Sequence, residues 1–160
     1  MSDATRKPSP EEKRQMKSAA RLYAVQALFQ MEAAGQTVDA VRREFETHRF
    51  GAVIEGDEMA EGDRDLFAQV IEGAINWQAR IDQMTDRALV AKWPIARIDP
   101  VIRAVFRAAG AELMLAATPP RVIITEYVDV CHAFFPEGRE PKFANAVLDH
   151  MAREARPEAF

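Results

Sequence analysis

Val122-Ile123-Ile124-Thr125-Glu126-Tyr127-Val128-Asp129-Val130-Cys131-His132-Ala133-Phe134-Phe135 is the stretch on which the fold turns. Its first four residues are β-branched and, taken alone, are strand material. Yet the run continues without a turn residue to Phe135, and Ile124, Val128, Cys131 and Phe135 recur at helical spacing on one face. Pro136-Glu137-Gly138 then stops it. The stretch therefore reads as a helix, and with it the chain reads as all-α.

The same logic extends outward in both directions. Upstream, Ser9-Pro10-Glu11-Glu12 is a helix start, with Ser9 as cap, Pro10 in the first position and Glu12 closing a capping box. This helix is predicted to run to Ala34 and stop at Gly35. A second covers Val38 to His48. The acidic segment from Phe50 to Gly62 contains three glycines and reads as an exposed loop with room for one helical turn. Asp63 caps a third helix, in which Leu66, Phe67, Val70, Ile71 and Ala74 recur at helical spacing. The pattern bends near Asn76, continues through Trp77, Ile81 and Met84, and is closed by Trp93-Pro94. Asp99-Pro100 starts the next helix, with Val101, Val105, Ala108 and Glu112 in one row and Ile102, Phe106 and Leu113 beside it. Thr118-Pro119 opens the helix of the deciding stretch, and Glu140-Pro141 opens the last one, with Phe143, Val147 and Met151 on one side. No alternating, glycine-punctuated run calls for a sheet. The expectation is six or seven helices in one domain over residues 13–155, with a flexible extension at 1–12 and a tail at 156–160.

Composition narrows the function. The chain has 160 residues, 48% hydrophobic and 29% charged, an ordinary globular mix. No apolar run approaches the roughly 18–20 residues of a membrane span, and no apolar leader opens the sequence. A lone Cys131 excludes a disulfide framework and a multi-cysteine zinc site. A soluble cytoplasmic domain is expected. The net charge of −4 speaks against an indiscriminate polyanion binder, but it is unevenly spread. Residues 1–21 hold six cations against three acids, and the other 139 residues hold 15 against 22. A basic arm sits on an acidic body.

The arm is organised. At about 100° per residue, Lys13, Lys17, Arg21 and Arg14 fall at about 0°, 40°, 80° and 100° on one face of the first helix. Further along, Ala24, Leu28 and Val25 take nearly the same bearing, so the stripe begins basic and ends apolar. A projecting cationic face suits a phosphate backbone; the plainer alternative is a solvated helix start. Near the last helix, Phe143 lies beside Lys142 in a first turn, where an aromatic ring can stack an unpaired base. Phe134 and Phe135 read as core or helix-stop residues. Glu126, Asp129 and His132 have a spacing that metal-binding helices use, but equally describe a polar face. Cys131 lies in an apolar row and reads as a small core residue. No nucleotide-binding glycine loop or catalytic motif is present, and no enzyme and no cofactor are expected.

Three segments in order carry a family resemblance. Ala19-Ala20-Arg21-Leu22-Tyr23-Ala24-Val25-Gln26-Ala27-Leu28-Phe29-Gln30 resembles the opening helix of the NusB transcription antitermination family. Arg103-Ala104-Val105-Phe106-Arg107-Ala108-Ala109-Gly110-Ala111-Glu112-Leu113 resembles its central helix. Val122-Ile123-Ile124-Thr125-Glu126-Tyr127-Val128, followed by Lys142-Phe143-Ala144-Asn145-Ala146-Val147-Leu148-Asp149, resembles its last two. The combination looks like an alphaproteobacterial version. The resemblance implies two small helical bundles, binding of boxA-type single-stranded RNA of ribosomal RNA leaders, and a heterodimer with a small-subunit ribosomal protein. Through that complex it implies an indirect link to the RNA polymerase elongation complex. It implies no catalysis and no membrane. It assigns RNA contacts to Lys17 and Arg21, with Lys13 and Arg14 upstream, to Phe29, where relatives usually carry Tyr, and to the pair Lys142 and Phe143. Ile102 stands where relatives often carry an acid near the RNA and partner surfaces. Two other readings compete: a helical module that binds only protein, and a domain of an RNA-modifying enzyme, which would need a catalytic domain and cofactor loop not seen in this sequence.

Overall fold

The computed structural model describes residues 7–51, 60–89 and 98–160, together with the backbone of 53–54 and 57–58. Among these it forms seven α-helices: α1 (Pro10–Ala34), α2 (Val38–His48), α3 (Arg64–Asn76), α4 (Gln78–Ala88), α5 (Pro100–Leu115), α6 (Pro120–Phe134) and α7 (Glu140–Ala155). The deciding stretch is indeed helical as α6. Residues 10–12 of the extension form the first turn of α1, and Pro157–Ala159 of the tail form a 3₁₀ turn.

Local chemistry sets most of the boundaries. The Ser9 hydroxyl accepts from the Glu12 amide at 3.1 Å, and the Ser9 amide donates to Glu12 Oε1 at 3.1 Å, which completes the capping box. Gly35 ends α1 in the left-handed region at φ 68°, the conformation glycine adopts without a Cβ penalty. Thr37, Asp63 and Asp99 cap α2, α3 and α5 through their side-chain oxygens. Pro119 serves as N-cap of α6, so that helix begins at Pro120.

Two expectations need correction. The segment from Phe50 to Gly62 contains no helical turn among its described residues. Instead, β1 (Val53–Ile54) pairs antiparallel with β2 (Asp57–Glu58), with Val53 opposite Glu58 and Ile54 opposite Asp57. A two-residue ladder is too short to leave a periodicity in sequence, which is why no sheet was expected. The helix after the bend at Trp77 ends at Ala88, because Leu89 turns to extended backbone (φ −78°, ψ 148°) and buries its side chain. The expected stop at Trp93-Pro94 lies outside the described residues.

α5 is the axis of the molecule. It packs against α1 and α3 on one side and against α4, α6 and α7 on the other. Its residues from Ala108 to Leu113 form an unbroken buried run, the mark of a helix enclosed on all sides. The α1–α3 half adds an aromatic cluster. Tyr23 stacks on Phe50 at 4.7 Å between ring centroids, and Phe67 meets both Phe45 and Phe50 at 5.6 and 5.1 Å. The Tyr23 hydroxyl donates to the Ala60 carbonyl at 2.6 Å. No described helix is long and apolar enough to cross a membrane.

Small residues allow the close approach on the other side. A Cβ added at Gly110 would lie 2.4 Å from Ile81 Cγ2. Gly110→Ala is therefore expected to cost about 1–3 kcal/mol in overpacking, only partly offset by about 1 kcal/mol of helix propensity. Urea denaturation should show a lower midpoint with an unchanged slope. Cys131 is fully buried, and burial, aided by the charges of Glu140 and Asp99, pushes its thiol up to about 12. A thiol reagent at pH 8 should label it only after unfolding; prompt labelling of the native chain would contradict its place in the core.

Candidate nucleic-acid interface

The first helix supplies the most concentrated charge. Lys13, Arg14 and Lys17 are exposed on its first turns. Arg14 pairs with Glu11 one turn earlier, a solvated contact of little energetic weight. Lys13 and Lys17 form no ion pair with any described residue. Between them, the backbone carbonyl of Met16 accepts from the Asp63 amide at 3.0 Å, tying this end of α1 to the start of α3.

Arg21 does not join that surface, contrary to the sequence reading. It is only 4% exposed. Its Nε and Nη2 donate to Glu112 Oε1 and Oε2 at 2.9 and 2.7 Å, a two-point pairing of guanidinium and carboxylate. Its Nη1 donates to Glu126 Oε1 at 2.7 Å. The buried Tyr127 hydroxyl also donates to Glu112, at 2.9 Å, and the Ser18 hydroxyl donates to Glu126 at 2.6 Å. The physical reason lies in the wheel. Arg21, at about 80°, falls between Leu28 at about 60° and Val25 at about 120°, both core residues. The stripe has already turned inward by the third turn. The signal was present in sequence as Glu112, an acid at the end of the row Val105-Ala108 in an otherwise apolar helix.

The electrostatics follow from burial. Burial alone would lower the Arg21 pKa, but the hydrogen bond and charge of Glu112 outweigh it, and the net shift is upward. Burial, reinforced by the Glu112 charge, raises the Tyr127 phenol well above its ordinary range. Both shifts favour the charged form of Arg21 and the neutral, donating form of Tyr127.

The remaining candidates fall elsewhere. Phe29 is 39% exposed on the second half of α1, about 18 Å along the axis from Lys17 and about 120° round the helix. A strand touching both would cross α1 obliquely. Lys142 is exposed, and Phe143 is half-buried with its ring 6.2 Å from that of Phe106. Ile102 is 2% exposed and belongs to the core, so that position offers no surface contact. Glu126 is consumed by Arg21 and Ser18, and the described residues contain no cluster of three or more His, Cys, Asp or Glu side chains that could hold a metal. Arg103 and Arg107 of the central helix are tied to acids: Arg103 to Glu32 at 2.9 Å and Arg107 to Asp82 at 2.9 Å. Arg49, the C-cap of α2, was missed in sequence. It borders a cavity beside Phe29 and lies 4.8 Å from the centroid of the Phe45 ring.

Comparison with known proteins extends the picture. The model of the NusB family matches residues 18–153. The transcription antitermination protein NusB of Maricaulis maris (strain MCS10) is 45% identical over 161 residues, covering 100% of both chains. That of Caulobacter vibrioides (strain ATCC 19089 / CIP 103742 / CB 15) is 46% identical over 143 residues, 89% of this chain and 95% of the relative. Among solved structures, T. maritima NusB superposes with a TM-score of 0.71 at 26% identity, covering 96% of this chain and 99% of that one. The structure of the antitermination factors NusB and NusE in complex with dsRNA has a TM-score of 0.68 at 20% identity, covering 86% and 96%, and shares the fold.

The buried network makes a prediction separate from RNA. Arg21→Ala leaves Glu112 charged and unpaired in the core and should cost about 3–5 kcal/mol. The double variant Arg21→Met, Glu112→Leu removes both charges and should recover most of that loss. Chemical denaturation reads both; a single variant as stable as the parent would place Arg21 in solvent after all.

Proposed function

The chain belongs to the NusB family, and from that membership we propose that it is a non-enzymatic transcription antitermination factor that binds boxA-type single-stranded RNA. It acts with a small-subunit ribosomal protein, supports ribosomal RNA transcription, and reaches the RNA polymerase elongation complex through its partners. The observation that carries this reading is the exposed cationic face of Lys13, Arg14 and Lys17 on the first turns of α1. A structural neighbour is a complex of NusB and NusE with dsRNA, and assembly with a ribosomal protein and RNA, single-stranded in this case, is proposed here.

Each part has a physical role. Lys13, Arg14 and Lys17 hold phosphates, and every neutralised phosphate releases condensed counterions. Lys142, on α7, adds a fourth cation. Phe29 offers an exposed ring for a base, without the hydroxyl of the Tyr usual at that position. Phe143 keeps one side against Phe106 and has partial exposure on the other. Arg21 is a positioning residue, because its charge is spent on Glu112 and Glu126. The acidic remainder of the surface complements a basic ribosomal protein and speeds its encounter.

Salt dependence tests the proposal. With four phosphates contacted, log K for a boxA-like single strand should fall with log salt at a slope of about −3. Lys17→Ala should shrink that slope by about 0.7 for any RNA sequence, and leave folding stability within about 0.5 kcal/mol. A flat response would overturn the RNA reading and leave a helical module that binds protein alone.

A further inference from the structure

Beside Phe29 lies a cavity of about 340 Å³, where the second half of α1 meets the end of α2, the start of α5 and the end of α6. Val25, Ala33, Val101 and Phe134 supply apolar lining. Gln26, Gln30 and Arg49 supply the polar groups. We propose that this cavity is a pocket for one unpaired nucleobase, in which Gln26 determines which base is accepted. The inference rests on the RNA-binding reading above and deepens it by naming where a base is read.

Three observations favour a base over an apolar protein side chain. First, two aromatic rings, Phe29 and Phe134, border the same small space, and Phe29 keeps 39% exposure although it is large and apolar. A flat heterocycle finds stacking surface there. Second, the polar lining suits base edges and phosphates. The Gln30 amide nitrogen is already committed to Gln36 Oε1 at 2.6 Å and to Glu44 Oε2 at 2.7 Å, which fixes that side chain and leaves its oxygen as an acceptor. Gln26 has no hydrogen bond to any described residue, so its amide presents both a donor and an acceptor, the pair needed to read a Watson–Crick edge. Third, Arg49 places a cation beside the pocket. Its Nη2 is 4.0 Å from Glu44, a loose and partly exposed pairing that leaves donors for the phosphate of the same nucleotide. The cavity size is at the lower end for small-ligand sites, which suits a single base.

The pocket stands on the same helix as the cationic face. Phe29 and Lys17 stand on one uninterrupted helix, so a strand held at Lys13–Lys17 is led along α1 towards it. Gln26 lies about one turn before Phe29 and Gln30, and all three are set by the same backbone.

The test uses the whole chain and a series of boxA-like single strands, each carrying one abasic nucleotide. For the wild type, one position should lose about tenfold in affinity when its base is removed. In Phe29→Ala that penalty should vanish. In Gln26→Leu the preference among the four bases at that position should fall by about tenfold, with the salt slope unchanged. Gln26→Glu keeps the acceptor and removes the donor, so it should reorder the preference; unchanged helicity by circular dichroism checks that both variants fold. Wild-type binding in which no single base couples to Phe29 or Gln26 overturns the pocket and leaves the RNA-binding reading standing. Loss of ribosomal-protein binding with RNA binding intact assigns the cavity to a protein side chain and also overturns it. No binding of any strand by the wild type defeats both proposals.

Discussion

The ion pair between Arg21 and Glu112 fixes the relation of the first helix to the rest of the molecule. It joins α1 to α5, the helix that touches both halves, and through Glu126 and Tyr127 it draws in α6. A buried charge pair is not in itself a strong source of stability, since desolvation cancels much of the Coulomb attraction. Its importance is directional. An apolar contact would tolerate α1 rotating or sliding, whereas a two-point guanidinium–carboxylate pairing tolerates neither without leaving a charge unpaired in the core. Two of its three acceptor oxygens are used twice: Glu112 Oε1 by Arg21 and Tyr127, Glu126 Oε1 by Arg21 and Ser18, while Glu112 Oε2 takes Arg21 alone.

That constraint decides what the basic arm can do. Four cations share a face in sequence, but one of them is withdrawn to hold the helix, and three remain at the surface. Division of labour of this kind is economical on a small acidic protein. Arg21 gives α1 a fixed orientation, and the cations one and two turns earlier inherit it without any contact of their own to the core. The net charge of −4 then stops being a contradiction. It is the sum of a short cationic end and an acidic body, and the buried Arg21 makes the usable positive charge smaller still. For the proposed RNA-binding role, that arithmetic leaves few cations to hold phosphates.

The parts legible in sequence were those decided locally. Ser9, Gly35, Asp63 and Asp99 each act within a few residues of themselves, so the bounds of α1 and the starts of α3 and α5 could be read directly. The helical character of Val122–Thr125 was legible because the apolar row continued past it. Features decided by distant contacts were not. The fate of Arg21 depends on Glu112, 91 residues away. The end of α4 depends on Leu89 being drawn into the core, and the β1–β2 pair is too brief to leave a pattern. The cavity beside Phe29 is assembled from four elements, and no single segment announces it.

The same distinction bears on how the proposed RNA surface on α1 gains specificity. A single strand of RNA is flexible, and an equally flexible protein arm would hold it without register, as charge alone does. Here the cationic end and the Phe29 end lie on one 25-residue helix anchored between them by a buried ion pair. The distance from Lys17 to Phe29 is therefore set by helical rise, not by loop closure. Under the proposed role, a strand that satisfies the cations arrives at the aromatic end with its spacing already restricted, so less entropy remains to be lost when a base is seated. In the proposed function, sequence preference arises from this rigid geometry combined with a few polar groups, and not from the number of cations.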